Sequence, residues 1–228
     1  MRSILTLVCA TLMLSAMGQS EGSFKSLFDG KSLDGWTATE ENPESFSVHD
    51  GMIICKGGRA HLFYTGPDGN ASFTNFELQL KVRTTQGSNS GVYFLTKYQE
   101  EGWPSAGFEA QVNSTQTDPR KTGSLYGVVN VWVPGDAEDP FVARVDEKGE
   151  LFIYKNTAPS VDGEWFDYSI RVEGKQITIK VNGMTTVQWT QPDNWSRGGR
   201  MIAPGTIGLQ AHDPDSEIHY KDIRIRRL

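Results

Sequence analysis

Apolar and polar residues alternate in short runs along most of this chain. The clearest run covers residues 75–84, where apolar residues from Phe76 to Val82 alternate with polar residues from Glu77 to Arg83. Successive side chains of a strand point to opposite faces, so this run predicts a strand with one buried and one solvated face. Helical periodicity is almost absent, and Gly, Pro, Asn and Asp bound the runs. The pattern predicts an all-β protein.

Fourteen candidate strands follow from these runs. They cover residues 46–48, 52–56, 61–64, 75–84, 90–98, 107–113, 125–129, 141–145, 151–154, 165–173, 176–182, 185–190, 206–212 and 217–226. Asn182-Gly183 predicts a tight hairpin, because both residues tolerate positive φ. Since no Pro- or Ser-rich linker interrupts the series, we expect one domain over residues 24–228. A two-sheet antiparallel β-sandwich suits this number of strands better than a barrel.

The first eighteen residues have the pattern of a signal peptide. Arg2 precedes an apolar run over residues 4–14, and Ala16-Met17-Gly18 supplies a small-x-small cleavage site. The run is too short to cross a bilayer. We therefore predict that residues 1–18 are removed and that the protein is secreted or periplasmic.

Net charge indicates which partners are unfavourable, and cysteine content indicates the state of the thiol. Cleavage after residue 18 removes Arg2, which leaves 21 Lys and Arg against 28 Asp and Glu, a net charge of 21 − 28 = −7. This charge disfavours nucleic acid and anionic membranes as partners. Cleavage also removes Cys9, so Cys55 remains alone at the end of an apolar run, where a buried, inert thiol is expected.

The segment 107–113 is the most informative for chemistry. Glu109, Gln111 and Asn113 alternate with apolar residues and so share one face of a predicted strand. A carboxylate and two amides in a row suit the hydroxyls of a sugar ring. Retaining and inverting glycosidases need a second carboxyl about 5–5.5 Å or about 6.5–9.5 Å from the first, and this strand does not supply one. The alternative is that Glu109 is a solvated residue of an open sheet face.

A second polar face is predicted near the C-terminus. Gly208, Gln210 and His212 alternate with apolar residues in the segment 205–213. His212 is followed by Asp213 and Asp215, so it is a candidate base oriented by an acid, or a candidate metal ligand. The alternative is a surface histidine at the start of an acidic loop.

Four further residues are candidates for a sugar-binding rim. Asn89 and Tyr126 lie in segments rich in small and hydroxylated residues, while Trp103 and Arg120 lie in long polar loops. Exposed tryptophans often stack on sugar rings, although sandwich cores also use tryptophan. Small polar residues are equally typical of turns, so the alternative is that these segments only form turns between strands.

Several motifs together resemble the secreted 3-keto-disaccharide hydrolase family. They are LFDGKSLDGW at 27–36, FEAQV at 108–112, TGSLYG at 122–127, GLQAH at 208–212 and YKDIRI at 220–225. The resemblance covers nearly all of the chain after the leader, in order. Two segments depart from it: Asp213 replaces the usual glycine after His212, and the loop at 99–104 matches no family pattern.

The resemblance implies a concanavalin A-like jelly roll that acts on glycosides oxidised to a ketone at C3. Such a ketone acidifies the hydrogen at C2, so the group at C1 can leave by elimination before water adds back. This route needs a base and an electrophile rather than two carboxylates. Glu109 and His212 would form the acid/base pair in either order. Gln111, Gln210 and Asn89 would hold hydroxyls.

The resemblance also bears on cofactors and partners. A divalent metal could polarise the ketone, with His212, Asp213 and Asp215 as candidate ligands; no other cofactor is expected. The substrate would be a glycoside or oligosaccharide that an upstream sugar 3-oxidoreductase has oxidised. A non-catalytic, lectin-like sandwich is the alternative function.

Overall fold

The computed structural model describes residues 22–133, 142–155 and 157–228, and the regular secondary structure of these residues is almost entirely β-strand. The predicted leader at 1–18 lies outside the described residues. One short 3₁₀ turn, Pro43–Ser45, is the only helical element of the described part. No helix in these ranges has the length and hydropathy to cross a membrane.

The described residues contain seventeen strands. In chain order they are β1 (Lys25–Ser26), β2 (Trp36–Ala38), β3 (Phe46–His49), β4 (Met52–Lys56), β5 (Ala60–Tyr64), β6 (Phe76–Thr84), β7 (Asn89–Thr96), β8 (Phe108–Asn113), β9 (Lys121–Leu125), β10 (Val129–Trp132), β11 (Ala143–Val145), β12 (Leu151–Tyr154), β13 (Phe166–Glu173), β14 (Gln176–Val181), β15 (Met184–Thr190), β16 (Thr206–Ala211) and β17 (Glu217–Arg227).

Two sheets pack face to face, which confirms the predicted sandwich. The first sheet has the order β15-β14-β13-β6-β17-β4-β3, with β1 beside β17. The second sheet has the order β11-β12-β10-β9-β8-β7-β16-β5-β2. Strand pairs are antiparallel except for β10 and β12, which are parallel.

The core forms where the apolar sides of the two sheets meet. In β6 the burial alternates residue by residue, as the sequence pattern predicts. Strands β7 and β8 are buried along their whole length, because their other face forms the floor of a cleft. The thiol of Cys55 is fully buried, and burial raises its pKa. The prediction of an inert structural cysteine agrees with this position.

Most differences from the predicted strands lie in the middle of the chain. The predicted strand at 125–129 is a turn between β9 and β10, in which Gly127 has φ of 70° and Val128 N donates to Leu125 O at 3.0 Å. The short strands β1 and β2 were missed, and so were β9 and β10 apart from Leu125 and Val129. Residue 141, at the start of another predicted strand, lies outside the described residues. The predicted hairpin is confirmed, with φ of 50° at Asn182 and 78° at Gly183.

Two buried tyrosines connect the first sheet to the backbone of the second. Tyr168 Oη of β13 donates to Gln111 O of β8 at 2.8 Å and accepts from Gly123 N at 3.2 Å. Tyr220 Oη of β17 bonds Ser90 Oγ of β7 at 2.7 Å, and Ser90 Oγ donates to a backbone carbonyl of β16 at 2.6 Å. These hydrogen bonds, made on the core side, hold the three neighbouring strands β8, β7 and β16 of the second sheet in position.

Replacing Tyr168 by Phe should destabilise the fold. The substitution keeps the ring but leaves the buried Gln111 carbonyl and Gly123 amide without this partner, which typically costs about 1–3 kcal/mol. Urea unfolding of Tyr168→Phe measures the loss, and Tyr98→Phe is the matched control, since Tyr98 is 41% exposed. Equal stability of the two variants would contradict a structural role for these hydrogen bonds.

Candidate active site

A cleft with a volume of about 330 Å³ opens on the face of the second sheet that points away from the core. Strands β16, β7 and β8 form its floor, and the loops at 97–107 and 191–205 form part of its wall. Its lining includes Asn89, Tyr93, Trp103, Glu109, Gln111, Tyr126, Arg200, Gln210 and His212. The structure thus brings together seven predicted site residues from segments that are distant in sequence.

Glu109 lies at the centre of the floor and is only 8% exposed. Tyr93 Oη donates to Glu109 Oε2 at 2.9 Å, and Gln210 Nε2 lies 3.5 Å from Glu109 Oε1. With its amide oriented to satisfy its neighbours, Gln111 donates to the same Oε1 at 3.2 Å. Burial raises the pKa of Glu109 to about 7, although the Tyr93 hydrogen bond and the Arg200 charge act in the opposite direction.

Gly91 leaves the space that the Glu109 side chain occupies. It lies opposite Gln111 in the β7–β8 pair, two residues from Tyr93. A Cβ atom at position 91 would lie 2.3 Å from Glu109 Oε1 and 2.6 Å from its Cγ. Any side chain here would displace the carboxylate.

His212 stands at the end of β16, at the edge of the same cleft. Its Nδ1 is 2.6 Å from Asp213 Oδ2, and a carboxylate only accepts, so Nδ1 carries a proton. Burial opposes ionisation of Asp213, but hydrogen bonds from His212 and Ser216 hold the pKa of Asp213 below its usual value. His212 Nε2 is left facing Asn89 Nδ2 at 3.4 Å. An imidazole held in this way has its second nitrogen available as a base.

The candidate metal ligands do not form a coordination site. One Asp213 oxygen accepts from His212 and the other accepts from Asp215 N at 3.0 Å, while the Asp215 residue itself is exposed. Across residues 22–133, 142–155 and 157–228, no three His, Cys, Asp or Glu side chains are arranged to hold an ion. His212, Asp213 and Asp215 therefore do not present a shared set of ligands, and no chemical step is assigned to a metal.

The predicted rim residues differ in where they lie relative to the cleft. Trp103 and Tyr126 line the cleft, but Arg120 is not among the lining residues. The Arg120 guanidinium bonds Glu150 and Asp118 and lies 4.8 Å from the centre of the Tyr126 ring. Arg120 therefore packs against the Tyr126 ring and does not itself line the cleft.

Three residues near the cleft were missed in the sequence. Tyr93 shares the face of Asn89 in β7, so the alternation in that strand was a usable signal. Arg200 belongs to a loop without periodicity, and its guanidinium donates to the Tyr126 carbonyl. His61 pairs with Gln210 across β5 and β16, and only the folded sheet reveals this pairing.

Glu109→Gln should change how stability depends on pH. The pKa of Glu109 is raised by folding, so its protonated form stabilises the protein below about pH 4.5, and this contribution is lost as pH rises through about 7. The variant should therefore gain stability relative to the wild type by about 2–3 kcal/mol between pH 5 and pH 8.

Urea unfolding of both proteins at the two pH values measures this gain. Glu164→Gln is the matched control, because Glu164 is exposed. A stability difference that stays constant between pH 5 and pH 8 would contradict a buried carboxyl with a raised pKa.

Comparisons with known proteins assign the chain to a family. The profile of the 3-keto-alpha-glucoside-1,2-lyase-like domain matches residues 23–226. A 3-keto-disaccharide hydrolase from Bacteroides thetaiotaomicron is 25% identical over 235 residues, which cover 89% of this chain and 77% of the relative.

Solved structures show the same fold. Two proteins from Parabacteroides distasonis, each described as a candidate glycosyl hydrolase, superpose with TM-scores of 0.62 and 0.66 at 24% and 18% identity. They cover 90% and 91% of this chain, and 100% and 94% of their own chains. A GH16 endo-beta-1,3(4)-glucanase superposes with a TM-score of 0.52 at 11% identity, over 91% of this chain and 87% of its own.

The family profile spans nearly all of the described residues, and it confirms the resemblance found in the sequence motifs. The chain belongs to the family of 3-keto-alpha-glucoside-1,2-lyase-like proteins and is an enzyme of the glycoside hydrolase or lyase type.

Proposed function

We propose that this enzyme cleaves 3-keto-glycosides by elimination across C1 and C2, followed by addition of water. One observation carries the proposal: among the described residues, the cleft is lined by a single buried carboxyl, Glu109, beside a histidine, His212, that is oriented by Asp213. Hydrolysis by two carboxyls requires a second one within about 10 Å, and no other Asp or Glu of the described ranges lines the cleft. Elimination requires only a base and an acid.

His212 is proposed as the base and Glu109 as the acid in the elimination. His212 Nε2 takes the proton from C2, and the C–H electron pair forms a C2–C3 double bond as the ketone oxygen becomes an enolate. The enolate then collapses, a C1–C2 double bond forms, the C1–O bond breaks, and Glu109 gives its proton to the leaving oxygen. A carboxyl with a pKa of about 7 retains this proton near neutral pH.

Addition of water reverses these proton transfers. The Glu109 carboxylate takes a proton from water as the hydroxide joins C1, and the His212 imidazolium returns a proton to C2. One water molecule is consumed, one glycosidic bond is broken, and the ketone is regenerated. Both side chains return to their starting protonation states, so the cycle balances.

Arg200 and the floor amides are proposed to stabilise the enolate and to orient the ring. Arg200 lines the cleft and carries a positive charge that acts on Glu109. A fixed cation near developing negative charge lowers the barrier to enolate formation. Gln111, Gln210 and Asn89 offer amide groups to the hydroxyls of the sugar.

A lectin-like function is the second candidate. Trp103 is 46% exposed at the cleft mouth, and an exposed indole beside polar side chains is also typical of non-catalytic sugar binding. This function needs no acid at Glu109, so substitution there separates the two candidates.

The proposed substrate has consequences for where and how the enzyme works. A C3 ketone arises by oxidation of a sugar hydroxyl, so a sugar 3-oxidoreductase must act before this enzyme.

The pattern at residues 1–18 supports export to the periplasm or beyond. N-terminal sequencing of exported protein should begin at Gln19, and an intact Met1 would contradict cleavage.

Turnover of a keto substrate tests the proposal. Purified enzyme should release p-nitrophenol from a 3-keto-α-glucoside but not from the unoxidised parent. Glu109→Gln and His212→Asn should each lower kcat by about 10²–10⁴-fold, as expected for loss of a general acid or base. The Glu109 variant should keep its affinity for the sugar. His49→Asn is the matched control, because His49 is exposed on β3 of the other sheet.

Binding without release from either compound would support the lectin function instead. Treatment with a chelator should leave the rate unchanged. Loss of activity on chelation, restored by a divalent metal, would contradict a mechanism that uses these side chains alone.

The pH dependence of kcat/KM follows from the protonation state of Glu109. The acid must be protonated in the free enzyme, so kcat/KM should fall as pH rises through about 7. Initial rates between pH 5 and pH 9 measure the profile. A rate that rises steadily across this range would contradict the assignment of Glu109 as the acid and would exchange its role with His212.

A further inference from the structure

A second histidine, His61, lies buried beside the cleft, and its ring makes no hydrogen bond in the described part of the chain. It is 0% exposed on β5, and neither Nδ1 nor Nε2 has a partner. Burial lowers the pKa of His61 to about 3, so its ring is neutral. A neutral imidazole offers one N–H donor and one acceptor nitrogen. Both capacities are unused here.

The residue paired with His61 on the neighbouring strand also has a buried polar atom without a hydrogen-bond partner. Gln210 is opposite His61 in the pairing of β16 with β5, and Gln210 lines the cleft. Its Nε2 faces Tyr93 and Glu109, but its buried Oε1 has no partner within the described residues. Three polar atoms on two adjacent side chains are therefore unsatisfied on the cleft side of the sheet.

Unsatisfied buried polar atoms cost free energy, and an apolar side chain would avoid this cost. Two such side chains next to each other, at the edge of a catalytic cleft, point to a partner that comes from outside the chain. The partner must both donate a hydrogen bond, to Gln210 Oε1, and accept one, from the His61 N–H.

Trp103 covers His61 in this conformation. Its ring centre is 5.7 Å from that of His61 and 5.4 Å from that of His212. The loop backbone is anchored on either side of the indole: Gly102 N donates to Glu41 Oε2 at 2.8 Å, and Gln99 Nε2 donates to Trp103 O at 2.9 Å. The indole itself is 46% exposed and contacts the Arg59 guanidinium at 5.2 Å, and neither anchoring hydrogen bond involves the indole.

We propose that His61 and Gln210 form a binding subsite for one hydroxyl of the sugar, which becomes accessible when the Trp103 side chain moves aside. A hydroxyl donates to Gln210 Oε1 and accepts from the His61 N–H, so it satisfies two of the three unpartnered atoms, one on each residue. A ketone oxygen only accepts and leaves Gln210 unsatisfied. The subsite therefore selects a ring hydroxyl rather than the oxidised position, and it fixes which carbon faces the acid and base. This inference rests on the proposed function.

Ring-nitrogen NMR of the histidines tests the subsite directly. The chain contains four histidines, and the spectrum of His61→Phe identifies the His61 signals. Methyl 3-keto-α-glucoside is added to the Glu109→Gln protein, which should bind without turnover. We expect the His61 ring signals to shift at saturation, whereas those of exposed His49 stay in place.

The outcomes separate the subsite from the proposed function. If the signals of His212 shift and those of His61 do not, the sugar binds but the subsite is wrong. If neither histidine responds at any sugar concentration, both the subsite and the proposed function fail.

Kinetics give an independent readout. His61→Phe should lower kcat/KM for the 3-keto glucoside by about 10- to 100-fold, while its unfolding midpoint equals or exceeds that of the wild type. Among substrates that each lack one hydroxyl, the analogue without the bound hydroxyl should be cleaved equally by both proteins. His49→Phe is the control and should be unchanged. A kcat/KM of His61→Phe within twofold of the wild type on every substrate would overturn the proposal.

Discussion

The burial of one carboxyl on the floor of the second sheet is the constraint on which the site depends. A lone carboxylate out of water is unfavourable, so the surroundings of Glu109 must hold it either protonated or hydrogen-bonded. Tyr93, Gln111 and Gln210 provide the hydrogen bonds, and Gly91 provides the space. The resulting pKa near 7 gives the carboxyl a proton that it can release in neutral solution.

The sandwich makes this arrangement rigid. Tyr168 and Tyr220 extend from the first sheet through the core and bond the backbone or side chains of the strands that form the cleft floor. The first sheet thus holds the floor in position, while the side chains that line the cleft face the open side. A sheet fixed in this way keeps Glu109 in place without a loop closing over it.

Much of this organisation could be predicted from the sequence. Period-2 alternation showed which residues of β8 and β16 share a face, and so it brought Glu109, Gln111, Gln210 and His212 into consideration. The alternation is informative because a strand has only two faces. The same signal placed Gln79 and its neighbours on a solvated face, as the structure has them.

The rest could not be predicted, because it depends on contacts between distant segments. The pairing of β16 with β5 places His61 beside Gln210, although the two residues are 149 positions apart. Arg200 enters the cleft from an irregular loop that has no periodic signal. Asp213 bonds His212, and a hydrogen bond within an acidic segment is not visible in its composition.

The central claim is that cleavage begins with removal of the hydrogen at C2. The most direct test is turnover of a 3-keto-α-glucoside that carries deuterium at C2, with the product examined by mass spectrometry at early times. The account predicts a primary isotope effect on kcat/KM and loss of the label to solvent, because the base removes that atom. Cleavage at an unchanged rate with the label retained at C2 would contradict the account and indicate direct displacement at C1.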